Sequence, residues 1–355
     1  MTPLKLQKLR TEMEQQQLEA LLITSQYNLH YITGFTGTAG LALVTQNKAY
    51  FITDFRYTEQ AGSQVKEFEV VQAKTNLLEE AAEIARNLAV KSLAFEKDYV
   101  TYASFLEYQA KIEADLKPIS GLIEKIRMIK TPEEVSILKA AAKIADDAYE
   151  HICKFIKAGQ TELEISNELE FFMRKQGATS SSFDTIVASG LRSALPHGVA
   201  TDKKIENGDF ITLDYGALYN GYISDITRTV AVGEPSGKLK EIYQIVLDAQ
   251  VMAVEKIGPG MTGIEADAIA RDYIKSKGYG EAFGHSTGHG IGLEVHEAPG
   301  LSFKSQTVLE AGMAVTVEPG IYLPGIGGVR IEDDILITES GNERLTHSTK
   351  ELRIL

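Results

Sequence analysis

The sequence contains one cysteine, Cys153, which excludes both an intramolecular disulfide and a zinc site built from cysteines. This thiol lies in an apolar helical stretch and reads as a core residue. Such sparing cysteine use suits a reducing compartment, and the expected location is the cytoplasm. Positive charge is also scarce: 36 Lys and Arg stand against 49 Asp and Glu, a formal net charge of -13. Nucleic acids and anionic membranes are held by clustered cations, so neither is an expected partner. No apolar run approaches the roughly 18 residues that span a bilayer. Residues 1–24 intersperse charges among apolar side chains at helical spacing and lack the unbroken apolar core of a signal peptide. Phosphate-binding loops are missing as well. The glycines of 34–40 are too widely spaced for a dinucleotide fingerprint and read as a turn, and no P-loop lysine accompanies them or the glycines of 284–292.

What is present supports a sizeable core. The 355 residues are 44% hydrophobic and 24% charged, a length and balance suited to two domains. Helix is predicted over 4–19, 75–88 and 102–112, strand over 20–23, 41–44, 49–53 and 92–95, and loop over 31–40. This alternation predicts a smaller α/β layer domain over 1–122. A second domain, 123–355, is expected to follow. Its first long helix is announced by Thr131, Pro132, Glu133 and Glu134: a hydroxyl cap, a proline in the first turn, and acids that suit the helix dipole.

The second domain repeats itself. Ile156-Lys-Ala-Gly-Gln-Thr-Glu-Leu-Glu164 matches Ile257-Gly-Pro-Gly-Met-Thr-Gly-Ile-Glu265 in its Ile, Gly, Thr and Glu. The stretch from Glu206 to Gly216 matches that from Glu310 to Gly320, with Asp214 in register with Glu318. Gly221 to Asp225 matches Gly328 to Glu332, again with an acid at the same place. The offsets are 101, 104 and 107 residues, so order is kept and only short insertions intervene. Two similar halves packed about a pseudo-twofold axis would bring four acids, Asp214, Asp225, Glu318 and Glu332, to one central cavity.

Four carboxylates held together repel one another, so such a cluster implies divalent cations. Two ions roughly 3.5–4 Å apart would both activate a water and polarise a carbonyl, the two effects that amide hydrolysis needs. Histidine use agrees. Four of the seven histidines, His197, His285, His289 and His296, fall in the segment that holds the Asp pair, three of them between Phe283 and Glu297. They offer imidazole for metal ligation and proton transfer.

The motifs Pro196-His-Gly198, Leu213-Asp-Tyr-Gly216, Ser224-Asp-Ile-Thr-Arg228, Gly288-His-Gly-Ile-Gly292, Val317-Glu-Pro-Gly-Ile-Tyr322 and Gly328-Val-Arg-Ile-Glu-Asp333 resemble those of the proline-specific metallopeptidases, aminopeptidase P and prolidase. The resemblance covers essentially the whole chain. It implies an α+β "pita-bread" catalytic domain with an internal repeat, preceded by a creatinase-like N-terminal α/β domain. It further implies that Asp225 and Glu332 bridge two metal ions, that Asp214 completes one site, and that His289 and Glu318 complete the other. Manganese is the expected metal, since oxygen ligation with one imidazole suits a hard ion, while Co²⁺, Zn²⁺ or Fe²⁺ would also bind. His197 and His296 match histidines that hold substrate or stabilise charge, and His285 matches a further pocket histidine. Tyr322 and Arg330 match supporting positions near the metals. Arg330 has two open readings, pairing with a buried carboxylate or touching substrate.

The expected substrates are short proline-containing peptides and the expected assembly is a homodimer. Removal of the residue before proline, as in aminopeptidase P, is the leading expectation. A prolidase confined to Xaa-Pro dipeptides is the alternative, and the choice depends on what closes the far side of the cleft. A non-catalytic binding protein of the same fold fits less well, because such relatives lose ligands that this chain keeps.

Overall fold

The structure, a computed structural model, describes residues 2–355. The chain divides into two compact units, Met1–Arg127 and Met128–Leu355, which part a few residues beyond position 122. No helix among the described residues is long and apolar enough to cross a membrane.

The first unit is built on a six-stranded mixed sheet. Its strands run in the order Glu69–Gln72, Ala49–Thr53, Leu41–Thr45, Ala20–Ile23, Ser92–Glu96, Asp115–Ile119. All four residues of Ala20–Ile23 are buried, which accounts for an unbroken apolar run in place of alternation. The helix Leu77–Asn87 turns Ala81, Ala82 and Ala85 into the core and is capped by Asn76, whose side chain accepts from the Glu79 amide at 2.9 Å. One expectation needs correction: residues 31–33 are not loop but the end of a helix, Gln26–Thr33, closed by Gly34 at φ +76°. That helix starts where buried Glu96 accepts from the amides of Thr24 and Ser25. Such a long-range anchor has no local signature.

The second unit contains the repeat in three dimensions. Each half begins with a long helix, Pro132–Phe155 or Gly237–Lys256, followed by a shorter one, Glu162–Lys175 or Gly263–Ser276. The two shorter helices start alike. Thr161 accepts from the Glu164 amide at 3.1 Å while Glu164 accepts from the Thr161 amide at 2.7 Å, and Thr262 and Glu265 do the same at 3.2 and 2.7 Å. In one half the strands Ile186–Ser189, Phe210–Tyr215 and Ile226–Ala231 form an antiparallel sheet. In the other, Ala314–Val317 and Asp333–Thr338 pair at the heart of a five-stranded sheet that also holds Gly288–Gly290 and Glu297–Leu301. Each half has its own apolar core, and Cys153 lies in the first, as its helical context predicted. The halves are joined between the sheets, where the Glu332 amide donates to the Thr227 carbonyl at 3.1 Å and Thr229 Oγ1 to the Arg330 carbonyl at 2.9 Å.

The matched capping boxes are each worth about 1 kcal/mol. Thr262→Ala is therefore expected to lower the unfolding free energy by roughly that amount, with the same result for Thr161→Ala, as measured by urea denaturation.

Candidate metal centre

The four repeated acids sit at strand positions that aim them at one place. Asp214 lies in Phe210–Tyr215, opposite Thr227 on the next strand, and Asp225 immediately precedes Ile226–Ala231. Glu318 follows Ala314–Val317 directly, and Glu332 immediately precedes Asp333–Thr338. One carboxylate oxygen from each of Asp214, Asp225 and Glu332 lies within 4.8 Å of the other two, and all three residues are buried. His289, on the strand Gly288–Gly290, joins the group through Nε2, which is 3.4 Å from Glu318 Oε1 and 3.8 Å from Asp225 Oδ2. All five line a cavity of about 500 Å³ that His197, His285, His296 and Arg330 also face.

Burial, reinforced by neighbouring carboxylates, drives the Asp225 and Glu332 carboxyls well above their ordinary range. Burial also pushes Glu318 up to about 8, with the Arg330 charge opposing and that of Asp214 adding to the shift. Asp225 Oδ1 and Glu332 Oε1 are buried with no hydrogen-bond partner among the described residues. A buried, unsatisfied carboxylate oxygen is costly, and a divalent cation supplies what both atoms lack. The residues therefore fit a metal centre, with carboxylate oxygens and one imidazole as donors. The imidazole is prepared for that role. His289 Nδ1 faces the Gly290 carbonyl at 3.1 Å, and since a carbonyl only accepts, the proton sits on Nδ1 and Nε2 presents its lone pair. Burial, aided by nearby His296, lowers the His289 pKa to about 4, so the ring is neutral at physiological pH.

Support for these side chains crosses between the halves. Thr227, two residues after Asp225, donates through Oγ1 to Glu332 Oε2 at 2.6 Å. Asp334, two residues after Glu332, accepts from the Asp225 amide at 2.9 Å. Each ligand is steadied by the residue two places beyond its counterpart. Arg228, fully buried, donates to the Glu332 carbonyl and to Asp333 Oδ1, the latter at 2.8 Å, and ties both strands to the carbonyls of Ser348 and Thr349. Thr227 and Arg228 fall within a motif singled out from sequence but without a role assigned there, and Asp334 was not singled out, although the repeat offset of 107 pairs Thr227 with Asp334.

The histidines differ in availability. His285 Nδ1 donates to the Ser286 carbonyl at 2.8 Å, so Nε2 accepts from the Tyr322 hydroxyl at 2.8 Å, and burial lowers its pKa to about 4. His197 and His296 are exposed within the cavity and their rings have no protein hydrogen bond among the described residues. Arg330 contacts Asp214 Oδ2 and donates to Tyr322 at 2.8 Å, Thr227 Oγ1 at 3.2 Å and the Pro196 carbonyl at 3.2 Å. Of its two readings, the geometry favours pairing with a buried carboxylate. Tyr322 is buried, with its hydroxyl shared between Arg330 and His285.

Each histidine loop is fastened by a buried carboxylate paired with a cation. Glu162 with Arg192 holds the loop of His197, and Asp267 with Arg271 holds the segment of His285, where Thr287 donates to Asp267 and Arg271 to the carbonyls of Phe283 and His285. Glu297 with Lys130 holds the loop of His296, Glu297 also accepting from the amides of Leu293 and Glu294.

A repeated α+β domain that gathers four acids and a histidine about one cavity defines a metal-dependent hydrolase. Residues 136–339 match metallopeptidase family M24, and residues 5–129 match the Creatinase/Prolidase N-terminal domain. The chain belongs to metallopeptidase family M24 and is an enzyme of that class. It is 60% identical to the Xaa-Pro dipeptidase from Bacillus anthracis, whose solved structure it matches with a TM-score of 0.99 over 100% of both chains. The Xaa-Pro dipeptidase of Pyrococcus horikoshii is 43% identical over 98% of both chains. The X-Pro aminopeptidase from Thermotoga maritima is 41% identical, with a TM-score of 0.91 over 97% of this chain and 100% of that one. These relatives support the dipeptidase alternative better than the aminopeptidase expectation.

Asp225→Asn removes one of the repelling carboxylates together with a donor atom. Metal-free protein carrying it is expected to melt about 2–4 °C higher, the shift that roughly 1 kcal/mol gives a domain of this size. The same variant is expected to lose the further rise that divalent metal gives the unsubstituted protein, as calorimetry with and without chelator measures.

Proposed function

We propose that the protein is an Xaa-Pro dipeptidase that uses two divalent ions, Mn²⁺ by preference, in the cytoplasm and as a homodimer. The similarity to dipeptidases over the full chain, from two distant organisms, carries this reading. Asp214, Asp225, His289, Glu318 and Glu332 would hold the ions. When bound, the pair would lower the pKa of water and polarise the substrate carbonyl.

The chain's own residues supply the rest. The exposed imidazoles of His197 and His296 suit donation to the carbonyl oxygen as negative charge develops there. Glu318 would take a proton as water adds to the carbonyl carbon, then deliver it to the proline nitrogen as the C–N bond breaks. An Xaa-Pro bond has no N–H and a ring in place of it, so a site that accepts it cannot depend on a backbone donor at that position. Phe183, Ile186, Pro196, Val199 and Val295 offer apolar surface in the cavity for such a ring.

A second reading, cleavage of longer Xaa-Pro peptides, has one structural observation in its favour. An open groove along Ser180, Ser181 and Thr185 shares Phe183, Asp184 and Val199 with the cavity, which leaves a path for residues beyond proline.

Metal-stripped protein restored with Mn²⁺ is expected to hydrolyse an Xaa-Pro dipeptide and to leave the matched Xaa-Pro-Xaa tripeptide intact. Release of the first residue from the tripeptide would select the aminopeptidase reading, and activity equal with and without metal would sink the two-metal assignment.

A further inference from the structure

We propose that Glu162, about 30 residues before the cavity loop in sequence and outside the cavity wall, is the positioning residue for His197. Its carboxylate is completely buried at the first turn of Glu162–Lys175, where the helix dipole favours negative charge. Four of the bonds it accepts come from the two ends of the loop that carries His197. Oε1 takes the Ser189 amide and hydroxyl, each at 2.8 Å, and Oε2 takes the Thr201 amide at 3.0 Å and hydroxyl at 2.7 Å. Arg192, from within the loop, adds its Nε to Oε2 at 3.0 Å and sends Nη2 across to the Val199 carbonyl at 2.7 Å.

Apart from Ala200, which packs against the core of the first half, apolar burial does little to fix this loop. Leu191, Leu195 and Val199 are 63%, 49% and 47% exposed, so the side chains flanking His197 contribute little to either core. The polar contacts are Glu162 at the base, a backbone bridge between Val199 and Ile186, and near the tip the Gly328 amide on Ser193 Oγ at 2.8 Å with Arg330 on the Pro196 carbonyl. The His197 ring has no protein hydrogen bond among the described residues, so its position is inherited from the backbone that Glu162 clamps. The two loop ends converge on one carboxylate, and a carboxamide cannot replace it. Gln at this place keeps one acceptor oxygen and turns the other into a donor facing the Ser189 or Thr201 amide.

The catalytic part of this inference rests on the dipeptidase reading, whereas the structural part does not, and the test separates them. The probe is full-length protein carrying ¹³C at histidine Cε1, with the His197 signal assigned by its loss in His197→Gln. In Glu162→Gln and in the milder Thr201→Val, the His197 signal is expected to shift or broaden while those of His285 and His296 stay in place. With Mn²⁺ and an Xaa-Pro dipeptide, Glu162→Gln is expected to lower kcat by about 10- to 100-fold, the effect of displacing a reacting group by up to an ångström. The loss is expected to shrink to less than about twofold when the same change is made in His197→Ala, because a group acting through His197 has nothing left to position. An unmoved His197 signal in both variants, or a Glu162→Gln loss that persists undiminished beside His197→Ala, overturns the proposal. Absence of Xaa-Pro hydrolysis by the unsubstituted protein would count against the dipeptidase reading alone, and the histidine spectra would still decide the role of Glu162.

Discussion

The structure depends on the repulsion among Asp214, Asp225 and Glu332, held within 4.8 Å of one another in a buried place. Unscreened charges at that spacing oppose folding, and the surroundings can be understood as ways to make them tolerable. Arg330 answers Asp214 directly. Thr227 satisfies one oxygen of Glu332, and orphaned oxygens on Asp225 and Glu332 are left for a cation. Arg228 and Lys350 neutralise Asp333, the acid beside Glu332, so the strand does not carry a further uncompensated charge into the cluster. A domain organised this way is fully assembled only with its metal, which links occupancy to folding stability.

The acids stand at paired strands, but His197, His285 and His296 stand on loops. Strands fix the acids through their ladders, which the loops lack. Three buried carboxylates, each paired with a cation, anchor these loops instead, Glu162 with Arg192, Asp267 with Arg271, and Glu297 with Lys130. Such pairs contribute little net stability compared with apolar side chains of the same shape, but they define one geometry and reject others. Glu162 and Asp267 lie in corresponding helices of the two halves, one turn apart in the repeat.

How much of this was legible in the sequence follows from the range of each interaction. The clustering of the acids was legible because duplication places each one twice in the same local wording, as with Asp214 and Glu318. The long helix after Thr131 was legible from its cap, since the capping box is a contact over three residues. Strands Glu69–Gln72 and Asp115–Ile119 were not, because both lie at the edges of the sheet and bury too little to leave a period of two. Glu162 and Asp334 were not either. Their partners are 27 to 39 and 109 residues away, and a glutamate at a helix start has an ordinary explanation in the dipole. For Arg330 the local sequence allowed two roles, and only the position of Asp214, 116 residues earlier, separates them.

The exchange of support between the halves bears on how the domain can change over time. Thr227 belongs to one half and steadies Glu332 of the other, while Asp334 belongs to the second and steadies Asp225 of the first. Neither half is therefore a self-sufficient metal-binding module, and an altered residue on one strand is felt first by the ligand on the opposite one. A change at Thr227 or Asp334 therefore acts across the seam between the halves before it acts within its own half.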